Sequence, residues 1–135
     1  MEIKYFHIDK KKREEILKRL TFLLKKDEKI LFAFVHGSFI IDAPFRDIDI
    51  AVWLKKPSDA FHYTVYKSIK LEEEIGIPVD LHVLNTAPIT FKYHVITKGK
   101  LLFTRDPKLS YLFIETTLKE YWDFKLLQKY ACQFF

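Results

Sequence analysis

The chain is poor in several things that would each point to a function class. It has a single cysteine, Cys132, among 135 residues. No intrachain disulfide can form, so the disulfide-framework class is excluded and a reducing compartment fits. There is no Gly/Ser linker, internal repeat or low-complexity tract, and glycine itself is scarce, with three residues. One Asn and two Gln stand beside many Lys and Glu, a bias shared with heat-adapted proteins. No run approaches the ~18 apolar residues that cross a bilayer. The opening stretch MEIKYFHIDKKKREEIL has acids and no apolar segment of the kind a secretory signal needs, so a cytoplasmic location is the expectation.

What is present is ordinary for a globular domain. Hydrophobic residues make up 49% and charged residues 30%, which excludes a disordered chain. The length suits one hydrophobic core, so a single domain over 1–135 is expected. The net charge of +5 favours phosphates or an acidic partner. The excess is lysine scattered along the chain, with a local cluster at Lys10 to Arg13. Direct nucleic-acid binding, which goes with a continuous basic stripe, is not expected.

Hydrophobic periodicity predicts a helix over 9–26, with Ile16, Leu20, Phe22, Leu23 and Leu24 as its apolar face. The run Ile30 to Val35 predicts a strand buried on both sides, ending at Gly37. Residues 47–54 alternate. Ile48, Ile50, Val52 and Leu54 point one way, and Asp47, Asp49, Ala51 and Trp53 the other. Ser58 reads as the cap of a helix over 59–75 that ends at Gly76. Residues 79–84 form a third strand, with Val79, Leu81 and Val83 on one face and Asp80, His82 and Leu84 on the opposite one. A short helix over 88–98, closed by Gly99, leads to a final strand over 100–104. Asp106-Pro107 then opens a long helix, expected to break near Trp122 to Lys125. The order α-β-β-α-β-α-β-α predicts an α/β fold, a small mixed sheet covered by helices.

Two carboxylates on one strand face repel, and a divalent cation resolves the conflict by taking oxygen ligands from both. Asp80 joins them if its strand is the neighbour, and three carboxylates can hold a pair of ions against a triphosphate. Gly37-Ser38, at the end of the first strand, lets the backbone and a hydroxyl approach a phosphate. An anion cradle beside a carboxylate cluster is what phosphoryl or nucleotidyl transfer requires. Taken singly, each of these residues is more often structural. The combination is the signal.

HGSFIIDAPFRDIDIAVWL followed by VDLHVL resembles the signature of the polymerase-β-type nucleotidyltransferase superfamily, in particular its minimal nucleotidyltransferase antitoxins. The aromatic-rich C-terminal half looks like the same branch. The resemblance implies phosphate binding at Gly37 and Ser38, and Mg²⁺, two ions, at Asp47, Asp49 and Asp80. It implies ATP as substrate and a HEPN-domain toxin as partner, with AMP transferred to a tyrosine of that toxin. Phe39-Ile40-Ile41 stand where the family pattern has an Arg and a Gly. The alternative is therefore an antitoxin that keeps the fold and neutralises its partner by binding alone.

His36 and His82 flank the same patch, as ligands, proton carriers or, more commonly, satisfied half-buried imidazoles. His7, His62 and His94 show no ligand spacing. Arg105 and Lys92 are further cations that a triphosphate could meet. Tyr130, Phe134 and Phe135 continue the last helix past the expected core, which leaves core packing and a partner surface as equal readings.

Overall fold

The computed structural model describes residues 4–134, with the side chains of 4–133. Helix α1 (Lys10–Lys25) begins at Asp9, whose carboxylate accepts the Lys12 amide at 2.8 Å. It buries Ile16, Leu20 and Leu24, a stripe spaced by four residues. Phe22, expected on that face, is 58% exposed, with the Lys26 ammonium 4.5 Å from its ring. It stands two residues from both Leu20 and Leu24, which at 3.6 residues per turn is nearly half-way round the helix.

Four strands follow: β1 (Ile30–His36), β2 (Ile48–Leu54), β3 (Val79–Val83) and β4 (Lys100–Thr104). They form one sheet in the order β3-β2-β1-β4, and β2 and β3 are parallel while the other pairs are antiparallel. A parallel neighbour needs a crossover. It is supplied by α2 (Ala60–His62), a π turn (Tyr63–Lys67) and α3 (Ser68–Ile75), which run on as one helical stretch. Ser58 does not cap it. The ring of Pro57 starts a 3₁₀ turn over Pro57–Asp59, and the α-helix begins after it. Gly76 ends α3 with φ 84°, as expected. At the π turn the Ser68 hydroxyl donates to the Tyr63 carbonyl and accepts the Leu81 amide, tying the crossover to β3.

Helix α4 (Ile89–Lys98) and helix α5 (Pro107–Phe134) complete the chain. The Asp106 carboxylate accepts the Leu109 amide at 3.1 Å, with Pro107 as the first helical residue. Contrary to expectation, α5 does not break at Trp122 to Lys125. That segment has no Gly or Pro, and Tyr121 stacks on Tyr93 of α4 with ring centroids 3.5 Å apart, holding the helix straight. Leu84 leaves the third strand for a 3₁₀ turn (Leu84–Thr86), where the Asn85 side chain pairs with both the amide and the carbonyl of Leu54 in place of a strand.

The sheet therefore has two apolar faces. Ile48, Ile50, Val52 and Leu54 of β2, with Val79, Leu81 and Val83 of β3, pack under α1 and the crossover. Phe32, Phe34 and Ala51 pack under Val95 of α4 and Phe113 of α5. Of the last fourteen described side chains of α5, from Glu120 to Gln133, only Tyr121 and Phe124 are partly buried. Phe135 and the side chain of Phe134, for which core packing and a partner surface are equal expectations, lie outside the described residues.

Candidate active site

Asp49 is opposite His36 in the β1–β2 ladder and beside Asp80 in the β2–β3 ladder. Side chains at paired positions leave the sheet on the same face. His36, Asp49 and Asp80 thus form a row across three adjacent strands, with the fully buried Ile48 and Ile50 turned to the other side. His82 is two residues beyond Asp80 on that same face. Ligand atoms of Asp49, Asp80 and His82 all lie within 4.8 Å of one another, and His82 Nε2 is 3.0 Å from Asp80 Oδ2. Asp47 sits in the bend before β2, outside this tight group, yet its charge acts on Asp49.

The Asp49 carboxyl shows the strain of the arrangement. Its pKa is raised to about 6, first by burial, then by the neighbouring charges of Asp47 and Asp80. His82 and Arg46 oppose the shift. Gly37 explains how the turn after β1 can lie against this carboxylate. Its backbone has φ 83° and ψ −165°, a region open in practice only to glycine. A Cβ there would stand 2.3 Å from Asp49 Oδ2. The turn continues as a short 3₁₀ segment (Ser38–Ile40).

The loop after that turn is held by Arg13, a residue absent from the expected site. Its guanidinium donates to the carbonyls of Phe39 (2.9 Å), Ile41 (2.6 Å) and Ala43 (2.6 Å), with a longer bond to Ser38 (3.4 Å), and its Nε to Ile8 (2.7 Å). The same group lies over the rings of Phe45 and Phe39, which meet edge-on. A signal for it was available. Arg13 continues the stripe Ile16, Leu20 and Leu24 by one more turn, so it faces inward. Arg13→Ala is expected to lower stability by about 2 kcal/mol by leaving several carbonyls without donors. Arg13→Lys should recover only part, because an ammonium cannot span that fan of acceptors. Thermal denaturation of both variants checks this, and equal stability of wild type and Arg13→Ala would overturn it.

The other candidates separate cleanly. Arg105 donates to the carbonyls of Lys25, Asp27 and Ile30, at the end of β1 away from the aspartates, and is a structural clamp. Lys92 lies on α4, half-buried. His94, which had no ligand spacing, comes to the site from α4, its ring 5.8 Å from that of His36. A cleft of about 640 Å³ opens elsewhere, along Asp27, Lys29, Lys67 and Lys70, and holds none of Asp47, Asp49 and Asp80. The Tyr63 hydroxyl donates to Asp27 there at 2.6 Å, and Lys67 pairs with it at 3.7 Å, so the Asp27 carboxylate is already partnered.

Among known proteins, no curated sequence matches the chain. Solved structures resemble it over most of its length. One is the tri-AMPylated Shewanella oneidensis HEPN toxin in complex with MNT antitoxin, with TM-score 0.69, 22% identity, and 90% of this chain and 96% of the matched chain covered. A second is the toxin-antitoxin MntA-HepT, with TM-score 0.72, 22% identity, and coverage of 89% and 96%. A third is a toxin-antitoxin with AMP-PNP, with TM-score 0.70, 23% identity, and coverage of 87% and 95%. The fold expected from the resemblance is the one observed. A family profile described as "Polymerase beta, Nucleotidyltransferase" matches residues 18–108, a span that holds Gly37, Ser38, Asp47, Asp49 and Asp80. The chain belongs to the polymerase-β nucleotidyltransferase family.

Proposed function

We propose that this protein transfers AMP from ATP to a tyrosine hydroxyl of a HEPN-domain toxin and so acts as its antitoxin. The observation that carries the reading is the row of carboxylates on adjacent strands, with Gly37 laid against Asp49. Similar solved structures contain an AMPylated HEPN toxin and an ATP analogue, and that supports the choice of donor and acceptor.

Asp47, Asp49 and Asp80 would hold Mg²⁺, two ions in the expected arrangement. The donors fit, since a cation relieves the repulsion by Asp47 and Asp80 that adds to burial in raising the Asp49 carboxyl to about 6. Bound there, Mg²⁺ neutralises triphosphate charge and orients the reacting oxygens. Gly37 and Ser38 receive the phosphates. The tyrosine oxygen forms a bond to the α-phosphorus as the bond to the bridging oxygen breaks and pyrophosphate leaves. The phenolic proton passes to a carboxylate of the cluster. Helix α5 supports a protein partner, since Trp122, Leu126, Leu127 and Tyr130 are all more than half exposed. No helix among the described residues is long and apolar enough to cross a membrane.

Incubation with α-labelled ATP, Mg²⁺ and the product of the neighbouring toxin gene is expected to label the partner on tyrosine. A folded sample that leaves the partner unlabelled, while still blocking its toxicity, would favour neutralisation by binding alone.

A further inference from the structure

An all-oxygen cluster suits Mg²⁺, but this chain adds nitrogen to it. His82 is within hydrogen-bond distance of Asp80, and its ring nitrogen falls in one 4.8 Å group with the carboxylate oxygens of Asp49 and Asp80. Behind them is His36, only 5% exposed, in register with Asp49 and on the same face. Its Nε2 is the one buried side-chain polar atom among the described residues with no hydrogen-bond partner. A buried nitrogen left that way costs about 1–3 kcal/mol. The His36 ring is 5.9 Å from the His82 ring, and Phe91 of α4 walls both, at 5.4 Å and 5.0 Å.

Nothing among the described residues satisfies this nitrogen. A metal ion accepts a lone pair from a neutral imidazole while drawing two carboxylates together, and the His82 nitrogen is the one grouped with Asp49 and Asp80 for that. Imidazole donors shift a site away from Mg²⁺, which takes oxygen and keeps its waters, toward the borderline first-row ions.

We propose that Asp49, Asp80 and His82, with His36 behind them, form a mixed carboxylate–imidazole site that binds a Zn²⁺-class divalent cation in preference to Mg²⁺. The inference rests on the reading of Asp49 and Asp80 as metal ligands, and not on the acceptor of AMP. Occupancy by such an ion decides whether Mg²⁺ can enter, so the histidines set which cation the site works with.

The test uses the metal-free full-length protein without nucleotide. Calorimetric titration with ZnCl₂ near neutral pH is expected to give saturable binding that survives millimolar Mg²⁺. His82→Gln should weaken it at least ~10-fold. His62→Gln, remote and exposed, should leave it unchanged. In NMR spectra the ring signals of His82 and His36 should shift on Zn²⁺ addition while those of His7 do not. This measurement stands even where a variant folds poorly. Zn²⁺ binding no tighter than Mg²⁺, or binding indifferent to His82, would overturn the proposal. Mg²⁺-supported AMP transfer without Zn²⁺ binding would defeat the metal preference alone. Histidine-dependent Zn²⁺ binding without any transfer would defeat the functional reading alone.

Discussion

Replacing Asp49 with Asn is expected to lower AMP transfer about 10²–10³-fold, the usual scale for losing one electrostatic anchor of a transition state. It should also make the metal-free protein more stable at neutral pH. The two effects have one cause. In the folded protein the Asp49 carboxyl has its pKa raised to about 6 from 3.8, by burial and then by Asp47 and Asp80. Its contribution to stability is therefore full below the unfolded value and is lost as pH rises through about 6. Asparagine has no charge to lose, so the variant gains relative to wild type across that interval and keeps the gain above it.

His36 has the opposite sign. Burial and the charges of His82 and His94 lower its pKa from 6.5 to about 4, so its contribution is present above 6.5 and disappears as pH falls toward 4. In wild type the two groups offset each other between about 4 and 6. The Asp49→Asn variant should expose the histidine alone and become more acid-sensitive than wild type. Melting temperatures at a series of pH values, with and without the substitution, measure this directly. A variant that is inactive and also less stable at every pH would turn the loss of activity into a folding defect.

Gly37→Ala is the second large effect, about 3 kcal/mol of stability together with loss of AMP transfer. Residues forced into the backbone region of Gly37 carry strain of about 1–3 kcal/mol. The added methyl would also lie 2.3 Å from Asp49 Oδ2, so either the turn or the carboxylate must move. Gly76→Ala is the internal control. That glycine also has positive φ, at 84°, but nothing stands within 4 Å of a Cβ there. It should lose about 1 kcal/mol from backbone strain and leave transfer intact. Denaturant titration and labelling of the same samples separate the two. Equal behaviour of the two variants would mean that contact with Asp49 contributes nothing.

Much of this site was legible because strands alternate. The period of two places Asp49 opposite the Ile48–Ile50 face, and Asp80 opposite Val79 and Leu81, before any coordinates are known. A helix between the two strands implies a parallel crossover, and so makes adjacency of Asp49 and Asp80 plausible from topology alone. What did not read was set by tertiary docking. His94 reaches His36 only because Gly99 lets α4 close on β1, where a Cβ would come 2.9 Å from the Val35 carbonyl. Helix periodicity also mislabelled Phe22, since an aromatic ring next to Leu23 was counted with the core without regard to its angle around α1. The continuity of α5 past Trp122 is accompanied by the Tyr93–Tyr121 stack, a contact between residues far apart in sequence.

Arg13 also bears on where this protein can be cut. The family profile covers residues 18–108, so a fragment trimmed to those limits would keep Asp47, Asp49, Asp80 and the Gly-Ser turn. It would lack the first two turns of α1 and the guanidinium that organises Phe39, Ile41 and Ala43. Such a fragment would be complete by motif yet unable to hold its own loop. The smallest working unit therefore reaches back through Asp9 and Arg13, to a stretch that bears no signature residue at all.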